Sequence, residues 1–279
     1  MDAGPGRGPE RRLNFSVGGA APSQRPISLP TVLQTSRRHP AERQTAALRS
    51  VRTDTPTAQP EHRTNIAVFG ATGGTGRAVI HDLLAAGHSV TALIRDPAKL
   101  AAAPGLTVLQ GDATNSADVA RAVPGHDAVV VSLGNSQSPF GALFGARRTT
   151  PRDICEAGTR VIVGAMRDAS VARLVVVTAF GVGDTRDRAP LVAKIFFTLL
   201  LREQMADKEK QEAVVKASGL DWTLIQPVGL SDALASGHPV VGTPGPMGKQ
   251  RVSRADVAAV VVQAAIQGTY LRQTVTVAG

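Results

Sequence analysis

The sequence predicts a single doubly wound α/β fold, a parallel sheet with helices on both faces, starting near residue 64. Three observations predict it. Short apolar segments recur along the chain with helical stretches between most of them. Several of these segments, such as Ala128 to Leu133, are apolar nearly throughout instead of alternating, as expected when both sheet faces are covered. The first of them runs straight into a glycine-rich turn and a helix.

The elements follow in order. Ile66–Phe69 is the first strand. The helix after the turn runs to about Ala86, with Val79, Ile80, Leu83 and Leu84 on one face, and Gly87 suits its C-terminal cap. Further strands are expected at Val90–Ile94, Leu106–Leu109, Ala128–Leu133, Leu174–Thr178, Trp222–Gln226 and Thr274–Val277. One helix starts at Pro151, a favoured first-turn residue. Another follows Ser253, with Asp256 three residues on as an acidic variant of the capping box. The chain has no internal repeat.

Of the 279 residues, the first 63 differ from the rest. They hold ten Arg, no Lys, five acidic residues and eight prolines, with no sustained hydrophobic period. Such a segment buries too little apolar surface to offset its ordering entropy, so residues 1–63 are expected to be a disordered tail and residues 64–279 the folded domain. The acidic residues and prolines argue against an amphipathic targeting helix, and the apolar core of a secretory signal is missing. The tail contributes +5 to the net charge of +9, which leaves about +4 for the domain. Aromatics are 3% and no basic stripe runs through the domain, so nucleic acid is not an expected partner.

No run of eighteen apolar residues occurs. The longest candidate, Leu191 to Leu201, is broken by Lys194 and reads as a buried helix or a dimer face, not a membrane span. The single cysteine, Cys155, excludes an internal disulfide and reads as a buried structural thiol. The six histidines (His39, His62, His81, His88, His126, His238) lack metal-ligand spacing, so no metal is expected. A cytoplasmic protein, monomeric or homodimeric, acting on a small molecule is the expectation.

The strongest motif is Gly70-Ala-Thr-Gly73-Gly-Thr-Gly76, between the first strand and the first helix. Gly70 permits the tight turn, Gly73 lets backbone approach a pyrophosphate, and Gly76 lets the helix pack on the sheet. Gly70, Thr72, Gly73, Gly74, Thr75 and Gly76 are therefore candidate contacts to a dinucleotide in a Rossmann-type domain. The second strand ends in Ile94-Arg95-Asp96-Pro97. A site for NAD would place Asp or Glu there for the ribose 2′-hydroxyl; Arg95 instead suits a 2′-phosphate, so NADP (as NADPH) is the expected cofactor. Arg77 stands where it can stack on adenine or join the phosphate site. Asp112, after the third strand, is a candidate for the adenine amino group, and Gly134, at the end of the fourth, for close backbone approach to the cofactor.

These residues, together with Ala217-Ser-Gly-Leu-Asp-Trp-Thr-Leu-Ile-Gln-Pro227, resemble the atypical short-chain dehydrogenases. More narrowly, they are similar to the NAD(P)H-binding group that contains the flavin reductase type of biliverdin reductase and the NmrA-like proteins. The resemblance runs from about Asn65 to Gly279. It implies reduction of flavins, quinones or tetrapyrroles with NADPH. It places Thr178, in Thr178-Ala-Phe180, at the nicotinamide pocket, gives Lys208 the role of holding the nicotinamide ribose, and carries Pro227 past the nicotinamide. Where short-chain dehydrogenases have the tyrosine of Tyr-x-x-x-Lys, this chain has Gln204; its one tyrosine, Tyr270, is far along the sequence.

The loss has a physical reading. Carbonyl reduction develops an alkoxide that wants a positioned proton donor, worth roughly 10²–10⁴ in rate. A conjugated acceptor spreads the charge and needs mainly stacking and proximity, with reacting atoms about 3–3.5 Å apart. The alternative function is a non-catalytic NADP(H) sensor of the NmrA-like kind. A sugar-nucleotide epimerase or dehydratase is disfavoured, since Gln204 cannot act as a base.

Overall fold

The computed structural model describes residues 63–134, 150–188, 201–242, 249 and 251–279. Residues 1–62, which make up nearly all of the expected tail, and 191–200 of the apolar run lie outside them.

Eight strands form the main sheet, in the order β3-β2-β1-β4-β5-β6-β10-β8. They are β1 (Asn65–Phe69), β2 (Ser89–Ile94), β3 (Leu106–Gln110), β4 (Ala128–Val131), β5 (Arg173–Val177), β6 (Asp221–Pro227), β8 (Val240–Gly242) and β10 (Gln273–Ala278). All pairings are parallel except that of β8 with β10. The sheet is thus doubly wound, and its order reverses between β1 and β4, the switch point at which such sheets bind ligands. Two further strands, β7 (Gly229–Ser231) and β9 (Arg251–Ser253), pair with each other in a separate two-stranded sheet. Strands β7, β8 and β9, of three residues each, were not expected: segments this short show no period.

Strand residues alternate between two cores. Ile66, Val68, Val130, Val175 and Ile225 face one layer, made by helices α1 (Gly74–Ala85) and α5 (Arg254–Gln267). Ala67, Phe69, Val129, Leu174 and Leu224 face the other, made by α2 (Ser116–Ala122), α3 (Ile154–Asp168) and α4 (Arg202–Lys216). Because both sides are covered, β4 is buried at all four positions and β5 at all five. Apart from Arg173, whose guanidinium donates to the carbonyls of Asp221, Ala264 and Thr269, these strands therefore read as apolar runs. Each such side chain taken out of water contributes about 1.5–3 kcal/mol.

The caps set where the helices start. Ser253 accepts from the Asp256 amide at 2.9 Å, as its spacing predicts, and Gly268 ends α5 in the left-handed region at φ 63. The helix expected from Pro151 starts at Ile154 instead. Its cap residue, Asp153, makes no side-chain cap bond. The buried carboxylate of Asp207, on α4, accepts from the Cys155 and Glu156 amides at 2.9 Å each. A cap supplied from so far along the chain leaves no local trace in the sequence.

Candidate functional site

The site begins where β1 passes into α1. Gly70 sits at φ +85, and a Cβ on it would collide with the Ser132 carbonyl at the exit of β4. A Cβ on Gly76 would collide with the Gly70 carbonyl, so α1 closes onto the strand end only because that position is bare. The Gly73 amide donates to the Gly70 carbonyl at 3.1 Å, which tightens the turn. Gly73 is the N-cap of α1, with no side-chain cap, and the first turn of α1 carries no acidic residue. The opening amides and the positive end of the helix are therefore available to an anion.

Over this turn lies a cavity of about 450 Å³. It is bounded by the stretch Gly70 to Gly74, by the ends of β2 and β3, by Ser132 to Gly134 after β4, by Thr150 and Ile154, and by Arg254. Seven of the candidate contacts line it: Gly70, Thr72, Gly73, Gly74, Arg95, Asp112 and Gly134. Arg95 is exposed at the tip of β2. The Asp112 carboxylate accepts from the Thr114 amide at 2.8 Å and from its hydroxyl at 2.7 Å, which fixes the turn after β3. At Gly134 no described atom lies within 4 Å of where a Cβ would stand.

The other candidates lie off the cavity. Thr75 and Gly76 are buried beneath the turn. Arg77 donates from Nε to the Thr72 carbonyl at 3.1 Å and from Nη2 to the Lys99 carbonyl at 3.0 Å. It ties the glycine turn to the segment after β2. Pro227 is buried at the end of β6, where its carbonyl accepts from the Phe180 amide.

The carboxyl ends of β5 and β6 are organised differently. Thr178, expected at the nicotinamide pocket, is only 4% exposed and donates its hydroxyl to Glu212 Oε1 at 2.7 Å. The same oxygen accepts from Gln226 Nε2 at 2.8 Å, and Gln226 also donates to the Val182 carbonyl. Burial pushes the Glu212 carboxyl above the usual carboxylate range, against the bonds from Gln226 and Thr178. Lys208 reaches the edge from α4: its Nζ lies 3.4 Å from the Leu133 carbonyl and 3.4 Å from the Val177 carbonyl, at the ends of β4 and β5. Gln204, one turn earlier, is half-buried. The Cys155 thiol is buried, donates to the Leu133 carbonyl at 3.5 Å, and is pushed up to about 11 by burial, in keeping with a structural role.

Sequence reasoning missed Arg254 as a cavity residue, although the capping pattern of Ser253 and Asp256 around it was visible. It also missed the joining of Thr178, Glu212 and Gln226, for which only three scattered polar residues stood in the sequence. Among the described residues, no group of three or more His, Cys, Asp or Glu is placed to hold a metal ion, and no helix is long and apolar enough to cross a membrane.

A doubly wound sheet with an uncapped, glycine-lined helix start at its switch point defines a dinucleotide-binding α/β protein. The positions where a Cβ would collide, at Gly70 and Gly76, hold the turn tight against β4 and α1 against the turn, which leaves the Gly73 N-cap and the opening amides facing the cavity. In agreement, the chain belongs to the NAD(P)H-binding family, whose model matches residues 70–267. It is 29% identical over 204 residues to an uncharacterized chloroplastic protein of Arabidopsis thaliana, covering 72% of this chain and 71% of that one. Among solved structures it is similar to ChuY, an anaerobilin reductase from Escherichia coli O157:H7, with a TM-score of 0.63 and 25% identity over 77% of this chain and 97% of that one. A short-chain dehydrogenase/reductase from Veillonella parvula in complex with NADP shares the fold, at a TM-score of 0.63 and 17% identity over 77% and 94% of the two chains. The NAD(P)H-binding family implied by the sequence resemblance is therefore the family to which the chain belongs.

Proposed function

We propose that this protein is an NADPH-dependent reductase that passes hydride to a flat conjugated acceptor of the flavin, quinone or tetrapyrrole type. The observation that carries this reading is on α4. Lys208 Nζ stands at the joined ends of β4 and β5, while Gln204, one turn before it, cannot donate a proton as a phenol does. Support comes from ChuY, a reductase similar over nearly its whole length.

When bound, the nicotinamide supplies the hydride. The glycine turn and the amides opening α1 hold the diphosphate, Arg95 pairs with the 2′-phosphate, and Lys208 orients the nicotinamide ribose. The ionisable side chains lining the cavity among the described residues are Arg95, Asp112 and Arg254, two cations and a carboxylate already bonded to Thr114. With Gln204 where a phenol would stand before Lys208, an acceptor that solvent can protonate suits the site better than a simple ketone.

One observation favours the second reading, a non-catalytic NADP(H) sensor: the Thr178 hydroxyl is committed to Glu212 and so is not offered to a substrate. A single assay separates the two. Purified protein given NADPH with FMN, riboflavin or a quinone is expected to oxidise many equivalents of NADPH. Binding of NADPH with no turnover on any of these would leave the sensor.

A further inference from the structure

Helices α1 and α5 pack together on one face of the sheet and bring their N-termini side by side at the glycine turn. Arg254 opens α5, and its side chain crosses to α1. A Cβ on Gly74 would stand 2.6 Å from Arg254 Cδ and 2.8 Å from its Nε, so the bare position leaves room for this arm. Arg254 thereby becomes part of the cavity wall. Its guanidinium pairs with Asp232, Nη1 to Oδ1 at 2.6 Å, and the Asp232 side chain is 88% exposed.

The pair stands on a braced frame. The Asp256 carboxylate, in the first turn of α5, accepts from the Ser253 hydroxyl at 2.8 Å and from the Ser236 and Gly237 amides at 2.9 and 3.0 Å. The segment that carries Asp232 is thus tied to the helix start that carries Arg254.

Building on the dinucleotide reading of this site, we propose that Arg254 is a ligand of the cofactor's diphosphate, with Asp232 as the counter-ion it gives up. A guanidinium fork matches phosphate oxygens in pairs. An exposed ion pair such as that with Asp232 shifts an equilibrium by no more than about fivefold. A charge-assisted bond to a ligand in a partly enclosed cavity shifts it by roughly tenfold to a hundredfold. The phosphate therefore wins the exchange, and the Asp232 carboxylate lowers affinity by competing for Arg254. The diphosphate is common to NADPH and NADH, so Arg254 raises affinity for both alike, whereas Arg95 discriminates between them.

The test is calorimetric titration of NADPH and of NADH into the full chain, Arg254→Gln, Asp232→Asn and the double variant, with thermal melting of each. Arg254→Gln is expected to weaken both dinucleotides by about tenfold or more. Asp232→Asn is expected to tighten both, by up to about fivefold. The double variant should match Arg254→Gln alone, because Asp232 acts only through Arg254. Wild-type affinity in Arg254→Gln, a loss confined to NADPH, or weaker binding in Asp232→Asn would each overturn the proposal while the cofactor reading stood. Should Arg254→Gln melt far below the parent, the sign of the Asp232→Asn change decides. If the unaltered protein bound neither dinucleotide, the cofactor reading itself would fall and this inference with it.

Discussion

The carboxyl edge of the sheet has two halves built on opposite principles. At β1, β2 and β3 the edge is made of backbone: bare glycines, an uncapped helix start and an open cavity, with side chains only at its margins. At β5 and β6 it is made of buried side chains, where Thr178 and Gln226 both donate to Glu212 Oε1, while Glu212 Oε2 and Gln226 Oε1 are buried without a hydrogen-bond partner among the described residues. In the first half the backbone donors are fixed by the turn itself, so they need no reordering to meet an anion. The second has spent most of its polar capacity on its own cohesion. The same edge thus joins a cavity framed by backbone to a buried polar cluster.

Altering the backbone half should do the most damage. Gly70→Ala forces a side chain into the left-handed region and against the Ser132 carbonyl, which is expected to cost more than about 3 kcal/mol. At about 2–4 °C per kcal/mol for a domain of this size, melting should drop by roughly 6–12 °C, with loss of dinucleotide binding. Unchanged melting and binding would show that the turn is not the rigid cradle described.

Next in size is Asp207→Ala, which strips the acceptor from two amides at the start of α3. A loss of about 2 kcal/mol is expected, seen in denaturant unfolding. A loss below about 0.5 kcal/mol would mean that water caps the helix equally well.

A smaller, pH-dependent effect sharpens the contrast between the halves. Burial raises the Glu212 carboxyl, so the fold favours its protonated form. That contribution is fully present below the ordinary carboxylate value and is lost as pH rises through the raised folded value. Glu212→Gln keeps an acceptor for Thr178 and Gln226 but cannot ionise. Its melting temperature should therefore gain on the parent as pH climbs from about 4 towards 8. A difference that stays constant over that range would show that Glu212 ionises in the fold as freely as out of it.

The smallest effect concerns Cys155. Buried and pushed up to about 11, it should resist alkylation by iodoacetamide at neutral pH until the protein is unfolded. Rapid labelling of the native protein would place it in an accessible site instead.

What was legible in the sequence follows the same division. The glycine turn and the apolar strands carry their meaning locally, because the turn is contiguous and strands covered on both faces take mostly apolar side chains. The starts of α1 and α5 were legible for the same reason. The cap of α3 by Asp207 was not, nor was the meeting of Arg254 with Gly74, since each joins residues that only the packed helices bring together. Thr178 is legible in place but not in its bonding. It lies at the end of its strand as expected, but which way its hydroxyl donates depends on Glu212, a residue on another element.

The most direct measurement is calorimetry of NADPH and NADH binding to the parent protein and to Arg95→Ala. Heat is expected with both dinucleotides, with tighter binding of NADPH and a loss of about 1.5–3 kcal/mol confined to NADPH when Arg95 is removed. Equal losses for both would take the 2′-phosphate away from Arg95. No heat with either dinucleotide on the well-folded protein would contradict the account outright.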